Sequence, residues 1–181
     1  MKDLEYIKLA KEAIASEFSG KKVRILDYKE LKEKRGVFVT LKKNGELRGC
    51  IGFPYPNYEL GTAIILAAKS AAFSDPRFPP LDEEEFLQVK LEISVLSVPV
   101  ECEANPQKIK IGKDGLMCEF NERGGLLLPQ VAPEQGWNSV QFLDGLCMKA
   151  GLNRSAWKEK GFKLWKFQAR IIDEEEVMEE K

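Results

Sequence analysis

The segment LRGCIG, residues 47–52, holds the residue types with the clearest chemical potential in this chain. It places a guanidinium two residues before a thiol, at Arg48 and Cys50. A cation beside a cysteine lowers the pKa of the thiol from its ordinary value of roughly 8.5. Residues two apart in a strand share a face and lie roughly 6.6 Å apart, so Arg48 could stabilise a thiolate or hold an anionic ligand. The competing interpretation is that Cys50 is a small buried hydrophobe.

The chain contains no histidine, which limits the kinds of catalytic and metal site that it can form. Cys-His and Ser-His-Asp nucleophile systems and histidine-based zinc sites are excluded. A proton acceptor must come from a carboxylate, Lys, Tyr, a thiolate or water, and Asp75 in the segment DPRF is our candidate. Asp75 and Arg77 could instead order the proline-rich loop that ends a helix. A buried Arg48 would need a carboxylate partner, for which Asp75 and Glu92 are the candidates.

Further binding candidates surround these residues or occur later in the chain. The two glycines of the motif could mark a bulge or close packing, or could leave room for a ligand. The glutamine after LLLP could bind a ligand or satisfy backbone at a strand end. The other three cysteines form no CxxC pair, and Cys147 lies on an apolar helical stripe that predicts a core position. We therefore predict neither a metal site nor a cofactor. The binding candidates are Leu47, Gly49, Ile51, Gly52, Arg77 and Gln130, beside the catalytic candidates Cys50, Arg48 and Asp75.

A β-hairpin over residues 37–51 is predicted to position the motif, because an Asn-Gly pair at its centre favours a two-residue type I′ turn. Counting back from that turn places Arg48 and Cys50 on one face, with the apolar residues of the first strand. Leu47 and Ile51 would then lie on the opposite face with the phenylalanine of that strand.

The remaining pattern predicts an α+β protein with antiparallel sheet. Helical periodicity and strand alternation mark the elements, and the acidic C-terminal end, DEEEVMEEK, is expected to be solvated and to fray. We predict helices over 3–19, 58–73 (with Asn57 as its cap) and 139–150, strands over 89–95 and 162–172, and a meander of the segments KIKI, GLMCEF and GLLLP.

The composition limits the classes of partner. Net charge is −1, whereas nucleic-acid binders usually carry a basic excess, so nucleic-acid binding is disfavoured. The longest strongly apolar run, 60–68, has nine residues, and spanning a bilayer takes roughly 20. The N-terminal segment does not resemble a signal peptide, and the scattered cysteines are typical of reduced thiols, so we expect a cytoplasmic protein.

Four motifs in order resemble the AMMECR domain family, which is named for the human protein of the Alport syndrome, intellectual disability, midface hypoplasia and elliptocytosis region. They are LRGCIG, DPRF, GLLLPQVA and KAGL, the last followed by Trp157. The resemblance covers roughly residues 4–172, within a single AMMECR-like domain over 1–181. In KAGLNRSAW a proline that often follows the leucine in relatives is absent.

The resemblance implies two lobes of unequal size, each with antiparallel β-sheet and packed helices. The larger lobe would hold both termini, and the smaller would be inserted within about 100–150. It also implies that the LRGCIG side chains point towards a cleft between the lobes that binds a ligand or partner. The protein would then be a thiol-dependent enzyme or redox accessory. The alternative is a non-enzymatic module that binds Memo-type or radical SAM proteins, with which prokaryotic members of the family are associated.

Overall fold

The computed structural model of the chain describes residues 2–25 and 27–179. The chain divides into two compact units. Unit 1 comprises the chain up to Leu96 together with the chain from Arg170 onward, and unit 2 is Ser97–Ala169. Unit 2 runs past the range of about 100–150 expected for an inserted lobe, because a strand at 163–167 pairs within it.

The helices and strands follow one another in chain order over the described residues. The helices are α1 Lys2–Ser19, α2 Leu60–Phe73, α3 Glu83–Phe86, α4 Val131–Gln135, α5 Ser139–Lys149 and α6 Glu174–Glu179. The strands are β1 Val37–Lys43, β2 Glu46–Phe53, β3 Val89–Leu96, β4 Val100–Cys102, β5 Gly115–Phe120, β6 Arg123–Leu127, β7 Lys163–Phe167 and β8 Ala169–Asp173. The two sheets have the orders β2-β1-β3-β8 and β4-β7-β5-β6, which confirms the α+β class with antiparallel sheet.

The first sheet packs one face against α1 and α2. Val37, Val39 and Leu41 alternate along β1 and are fully buried, as the period of two requires for a strand with one face in the core. Helix α2 is rich in alanine, and its short side chains let the helix backbone lie close to the strands. Burial of each large aliphatic side chain contributes about 1.5–3 kcal/mol, so this layer fixes the sheet that carries the LRGCIG motif.

The Asn-Gly turn is confirmed, but the predicted register of the hairpin is wrong. Asn44 and Gly45 both have positive φ angles, 52° and 80°, as a type I′ turn requires. A β-bulge then shifts the register between Leu41 and Lys42. Its extra residue on the opposing strand is Arg48, because Lys42 pairs with Leu47 and Leu41 pairs with Gly49.

The bulge separates the side chains that the simple register put together. Cys50 pairs with Thr40, on the sheet face away from α1 and α2, whereas Ile51 pairs with the buried Val39. Arg48 binds Glu85, which also binds Lys43. Lys43 lies on the same face of β1 as the buried Leu41. Cys50 therefore does not share a face with the core residues of β1, and Ile51 does not share a face with Phe38.

Other sequence predictions also needed correction. The strand predicted over 162–172 is two strands in different sheets, β7 and β8, with a break at Gln168. The segment KIKI ends a 3-10 helix and leads into a turn rather than forming a strand, and α2 begins after Glu59 rather than at a cap on Asn57.

The acidic C-terminal end is ordered as α6 rather than frayed. Glu174 is buried, accepts a hydrogen bond from the Leu91 amide at 3.0 Å and also binds Lys11. These contacts tie the start of α6 to β3 and α1. Residues 180–181 of that predicted tail lie outside the described residues.

Unit 2 has its own core between its sheet and α5. Phe142, Leu143 and Leu146 on one stripe of α5 are fully buried with Leu116 and Leu164 of the sheet. Asn138 caps α5 through the Gln141 amide, while the Gln141 side chain accepts from the Asn138 amide. This reciprocal pair satisfies two of the free amides at the start of the helix.

Candidate functional site

Cys50 lies on β2, which is an edge strand of the first sheet. Its amide donates a hydrogen bond to Asp75 Oδ2 at 2.9 Å, and Arg77 Nη2 donates to its carbonyl oxygen at 3.3 Å. Both backbone groups of Cys50 thus point away from β1 and are bound by the loop that follows α2. An edge strand normally presents such groups to solvent or to another strand, so Asp75 and Arg77 act here as a side-chain clamp on the motif.

Asp75 is the centre of that clamp. Only 1% of its side chain is exposed, and it accepts hydrogen bonds from Arg77 Nε at 3.0 Å and Arg77 Nη2 at 2.8 Å. The bond to Arg77, together with the backbone bond from Cys50, holds the pKa of Asp75 well below its ordinary range. A carboxylate so stabilised in its charged form is a poor proton acceptor, which counts against the role of base.

The Arg77 side chain combines a fixed position with exposure. Its guanidinium is held by Asp75, yet 54% of the side chain is exposed. The bond to Asp75 raises the pKa of Arg77. The motif therefore has a positively charged group at the cysteine, and that group is Arg77.

The thiol of Cys50 is half-buried, and a hydroxyl lies beside it. Thr40 Oγ1, on the neighbouring strand, lies 3.3 Å from Cys50 Sγ in donor geometry. The next strand places Glu92 opposite Thr40, and Lys42 Nζ binds Glu92 at 2.6 Å. This sheet face carries a row of polar groups. Glu92, one of the two carboxylates predicted to pair with Arg48, is bound to Lys42 instead.

Arg48 is 8% exposed and is paired with Glu85. Arg48 Nε and Nη2 donate to the two carboxylate oxygens at 2.9 and 2.8 Å, and Nη2 also donates to the carbonyl of Pro79 at 2.9 Å. Lys43 Nζ adds a contact to Glu85 at 3.1 Å. The Arg48 bond, with that of Lys43, lowers the pKa of Glu85 to about 2. The charge of Arg48 is balanced by Glu85 in this network, which joins α3 to β2.

Phe78 connects the two arginines. The guanidinium carbons of Arg48 and Arg77 lie 5.7 and 5.5 Å from the centre of its ring, within the range of a cation–π contact. The loop after α2 is therefore held by the Asp75 clamp at one end and by the Arg48–Glu85 pair at the other. Sequence reasoning missed Thr40, Phe78 and Glu85, although DPRF already pointed to this loop.

The glycines of the motif have packing roles. A Cβ on Gly49 would lie 2.3 Å from the carbonyl oxygen of Ala71 in α2, and one on Gly52 would lie 2.3 Å from the Phe38 ring. No real Cβ makes such contacts, so Gly49 is required for the close approach of helix and strand. The Phe38 ring fills the space beside Gly52, so this space is not open to a ligand.

The other binding candidates have separate surroundings. Leu47 is 45% exposed beside the turn, and Ile51 packs against the core of unit 1. Gln130 belongs to unit 2, where it immediately precedes α4. The structure thus joins Cys50, Asp75 and Arg77 by hydrogen bonds, whereas Arg48 is bound to Glu85.

Two of the three remaining thiols are buried, and the third is partly exposed. Cys118 and Cys147 are buried, which confirms the core position predicted for Cys147, and burial raises the pKa of the Cys118 thiol to about 11. Cys102 is partly exposed, and burial also raises its pKa. Over residues 2–25 and 27–179, no group of three or more Cys, Asp or Glu side chains is arranged to hold a metal ion. In the same part of the chain, none of the helices has the length and apolar character that crossing a membrane would take.

Comparison with known proteins decides the family. The AMMECR1 family model matches residues 7–172 of this chain. The chain belongs to the AMMECR1 family. A protein of Aquifex aeolicus is 44% identical over 95% of this chain and 92% of its own length. A protein of Methanopyrus kandleri is 46% identical over 94% of this chain and 87% of its own length.

A solved member of similar sequence has the same fold. The crystal structure of an uncharacterised protein from Pyrococcus horikoshii superposes with a TM-score of 0.82 at 44% identity. It covers 92% of this chain, and this chain covers 88% of it. For the AMMECR1 family, the fold described above is thus shared with an experimental structure.

Proposed function

We propose that this AMMECR1-family protein uses the surface around Cys50 as a thiol-dependent binding site for a ligand or partner that carries an anionic group. The observation that carries the proposal is the arrangement of the Asp75–Arg77 clamp. It fixes the backbone of Cys50 and holds an exposed guanidinium at that residue. The thiol supplies a nucleophilic or redox-active sulfur, and Arg77 supplies the charge that attracts the anionic group.

This proposal changes the roles assigned from the sequence. Arg77 takes the anion-binding role first assigned to Arg48, because the charge of Arg48 is balanced by Glu85. Asp75 becomes a structural partner of Arg77 rather than a base, because its charged form is strongly stabilised. The amide of Cys50 is bound to Asp75 and is not free to stabilise an oxyanion.

The test compares two alkylating agents of similar size that differ in charge. Iodoacetate is an anion and iodoacetamide is neutral, so the ratio of their rates at Cys50 measures the local positive charge and cancels changes in thiolate population. We expect Arg77→Gln to lower that ratio about fivefold, which corresponds to about 1 kcal/mol for a partly screened charge. The control is Arg35→Gln, which removes another partly exposed arginine paired with a neighbouring acid. An unchanged ratio in Arg77→Gln would contradict the proposal.

A second candidate is a protein-binding module in which the thiol is inert. The exposed Leu47 favours it, because this residue lies three positions before Cys50 in the same strand, and a partner that covered its side chain would remove apolar surface from water. The partners to test are purified Memo-type and radical SAM proteins. In this case Leu47→Ala and Arg77→Ala weaken a measured complex whereas Cys50→Ala does not. A complex lost only on Cys50→Ala would refute it.

A further inference from the structure

We propose that a groove between α1 and α3 of unit 1 is a self-association surface, through which two copies of this chain form a two-fold symmetric dimer. The groove has a volume of about 630 Å³ and is lined by the last turns of α1, by residues 21–23 and by α3 with the residue that follows it. It shares no residue with the clamp on Cys50, so the inference goes beyond the proposed function.

The lining of the groove is largely apolar and incompletely covered. Phe18 of α1 and Phe86 of α3 pack with their ring centres 5.9 Å apart, and both are only partly buried. Leu87, directly after α3, is 81% exposed, the largest exposed fraction among the large apolar side chains that the structure describes. Removing such surface from water is favourable. The patch therefore carries an exposed apolar side chain beside an apolar hollow that could receive one.

The charges at the groove have both signs and belong to different segments. Lys21 and Lys22 stand in the segment after α1, Glu83 and Glu84 stand in α3, and Glu12 of α1 adds a further carboxylate. All five are exposed, and none forms an ion pair with another of the described residues. In a two-fold contact the same surface faces itself. The lysines of one copy then meet the glutamates of the other, which pairs charges that one copy alone leaves unpaired.

This charge pattern selects the occupant. The carboxylates would repel a fatty acid or another anionic amphiphile, and the lysines would repel a cationic one. A second copy presents both signs on the matching segments. It also supplies Leu87 as the apolar side chain for the hollow.

The groove is formed before any partner arrives. The α3 side is held in place because Glu85 binds Arg48 and Lys43, and α1 packs on the core of unit 1. A preformed surface loses little conformational freedom on association. Twelve residues line the groove, whereas a stable interface has roughly 20–30 residues on each side. We therefore expect a weak dimer with a dissociation constant in the micromolar range.

The experiment is sedimentation velocity of the full chain from about 1 μM to about 0.5 mM, since the dimer fraction rises with concentration. Leu87→Ala should weaken the dimer about tenfold, which corresponds to about 1.4 kcal/mol. The double variants Lys21→Glu/Lys22→Glu and Glu83→Lys/Glu84→Lys should each stay monomeric, because like charges then face each other. An equimolar mixture of the two should restore the dimer.

The controls match these changes outside the groove. Leu66→Ala removes another exposed leucine of unit 1, and Lys113→Glu/Lys160→Glu makes the same change of charge on exposed positions of unit 2. Both should dimerise like the unmodified chain. Far-UV circular dichroism checks that every variant is folded.

A monomer throughout the concentration range would overturn the inference. A dimer that neither Leu87→Ala nor the charge reversals weaken would also overturn it, because its interface would lie elsewhere. Assembly beyond the dimer would do the same, since a two-fold contact closes on itself. These results leave the proposed function untouched, because the alkylation ratio at Cys50 tests it separately.

Discussion

The buried Arg48–Glu85 pair gives the most quantitative prediction for the site. Glu85→Gln preserves the size of the side chain and removes its charge. The guanidinium of Arg48, which is 8% exposed, then lacks its charged partner. One of its nitrogens, Nη1, already finds no hydrogen-bond acceptor among the described residues. The variant should therefore destabilise unit 1, and it should do so through Arg48.

The magnitude follows from the pKa of Glu85. Binding to Arg48 and Lys43 lowers it from 4.5 to about 2. At roughly 1.4 kcal/mol per pH unit this corresponds to about 3 kcal/mol, which agrees with losses of about 3–5 kcal/mol when one partner of a buried pair is removed. A carboxyl with a lowered pKa contributes its stability above the unfolded value. That contribution is lost as the pH falls from about 4.5 to about 2.

The assay is urea unfolding at neutral pH and at about pH 3, with Glu84→Gln as the control. Glu84 is the exposed neighbour in the same short helix, and its loss should change stability by less than about 0.5 kcal/mol. All three tryptophans lie in unit 2, so unit 1 must be followed by far-UV circular dichroism or amide exchange. A Glu85→Gln variant as stable as Glu84→Gln, or a loss that is equally large at both pH values, would refute the reasoning.

Three further predictions concern backbone contacts of unit 1. Gly49→Ala should lower the free energy of unfolding by about 1–3 kcal/mol, since its Cβ would overlap the α2 backbone; urea unfolding measures this, and an unchanged midpoint would contradict it. Asp75→Asn should speed hydrogen exchange at the Cys50 amide, and in the unmodified chain the stability that this carboxylate contributes should decline in urea unfolding as the pH falls below 3.8, because the unfolded chain then binds a proton that the folded chain does not. Glu174→Gln should cost about 1–3 kcal/mol because a glutamine side chain can accept only one of the two hydrogen bonds that the carboxylate accepts, from the Leu91 amide and from Lys11, and limited proteolysis should then release the C-terminal helix; resistance equal to that of the unmodified chain would argue against it.

The hairpin shows what local sequence could and could not predict. Its turn was predictable because Asn and Gly tolerate the positive φ angles that a type I′ turn needs. The bulge at Arg48 was not, because the neighbouring Gly49 is compatible with a bulge, with close packing and with space for a ligand alike. A single inserted residue reverses the alternation of side chains beyond it, so the predicted pairing of Arg48 and Cys50 failed with it.

The acidic segments show a related limit. Glu85 and Glu174 each stand in a run of three glutamates whose members look equivalent in the sequence. In the folded chain only one glutamate of each run takes part in the contacts described above. In the first run, Asp82 accepts a hydrogen bond from the Glu85 amide at the start of α3, and the Glu85 side chain binds Arg48. Periodicity predicted α1, α2 and α5 because their apolar stripes are local properties. The break at Gln168 depends instead on which sheet each half of the segment joins, which is a tertiary property.

The central claim is that Cys50 is an accessible, chemically prepared thiol rather than a packing residue. The most direct measurement is the relative rate of alkylation of Cys50 and Cys147 by iodoacetamide in the native protein at neutral pH. Cys147 is fully buried, whereas Cys50 is partly exposed beside Thr40 and Arg77. We predict that Cys50 is modified at least about tenfold faster. Equal or slower modification of Cys50 would contradict the claim.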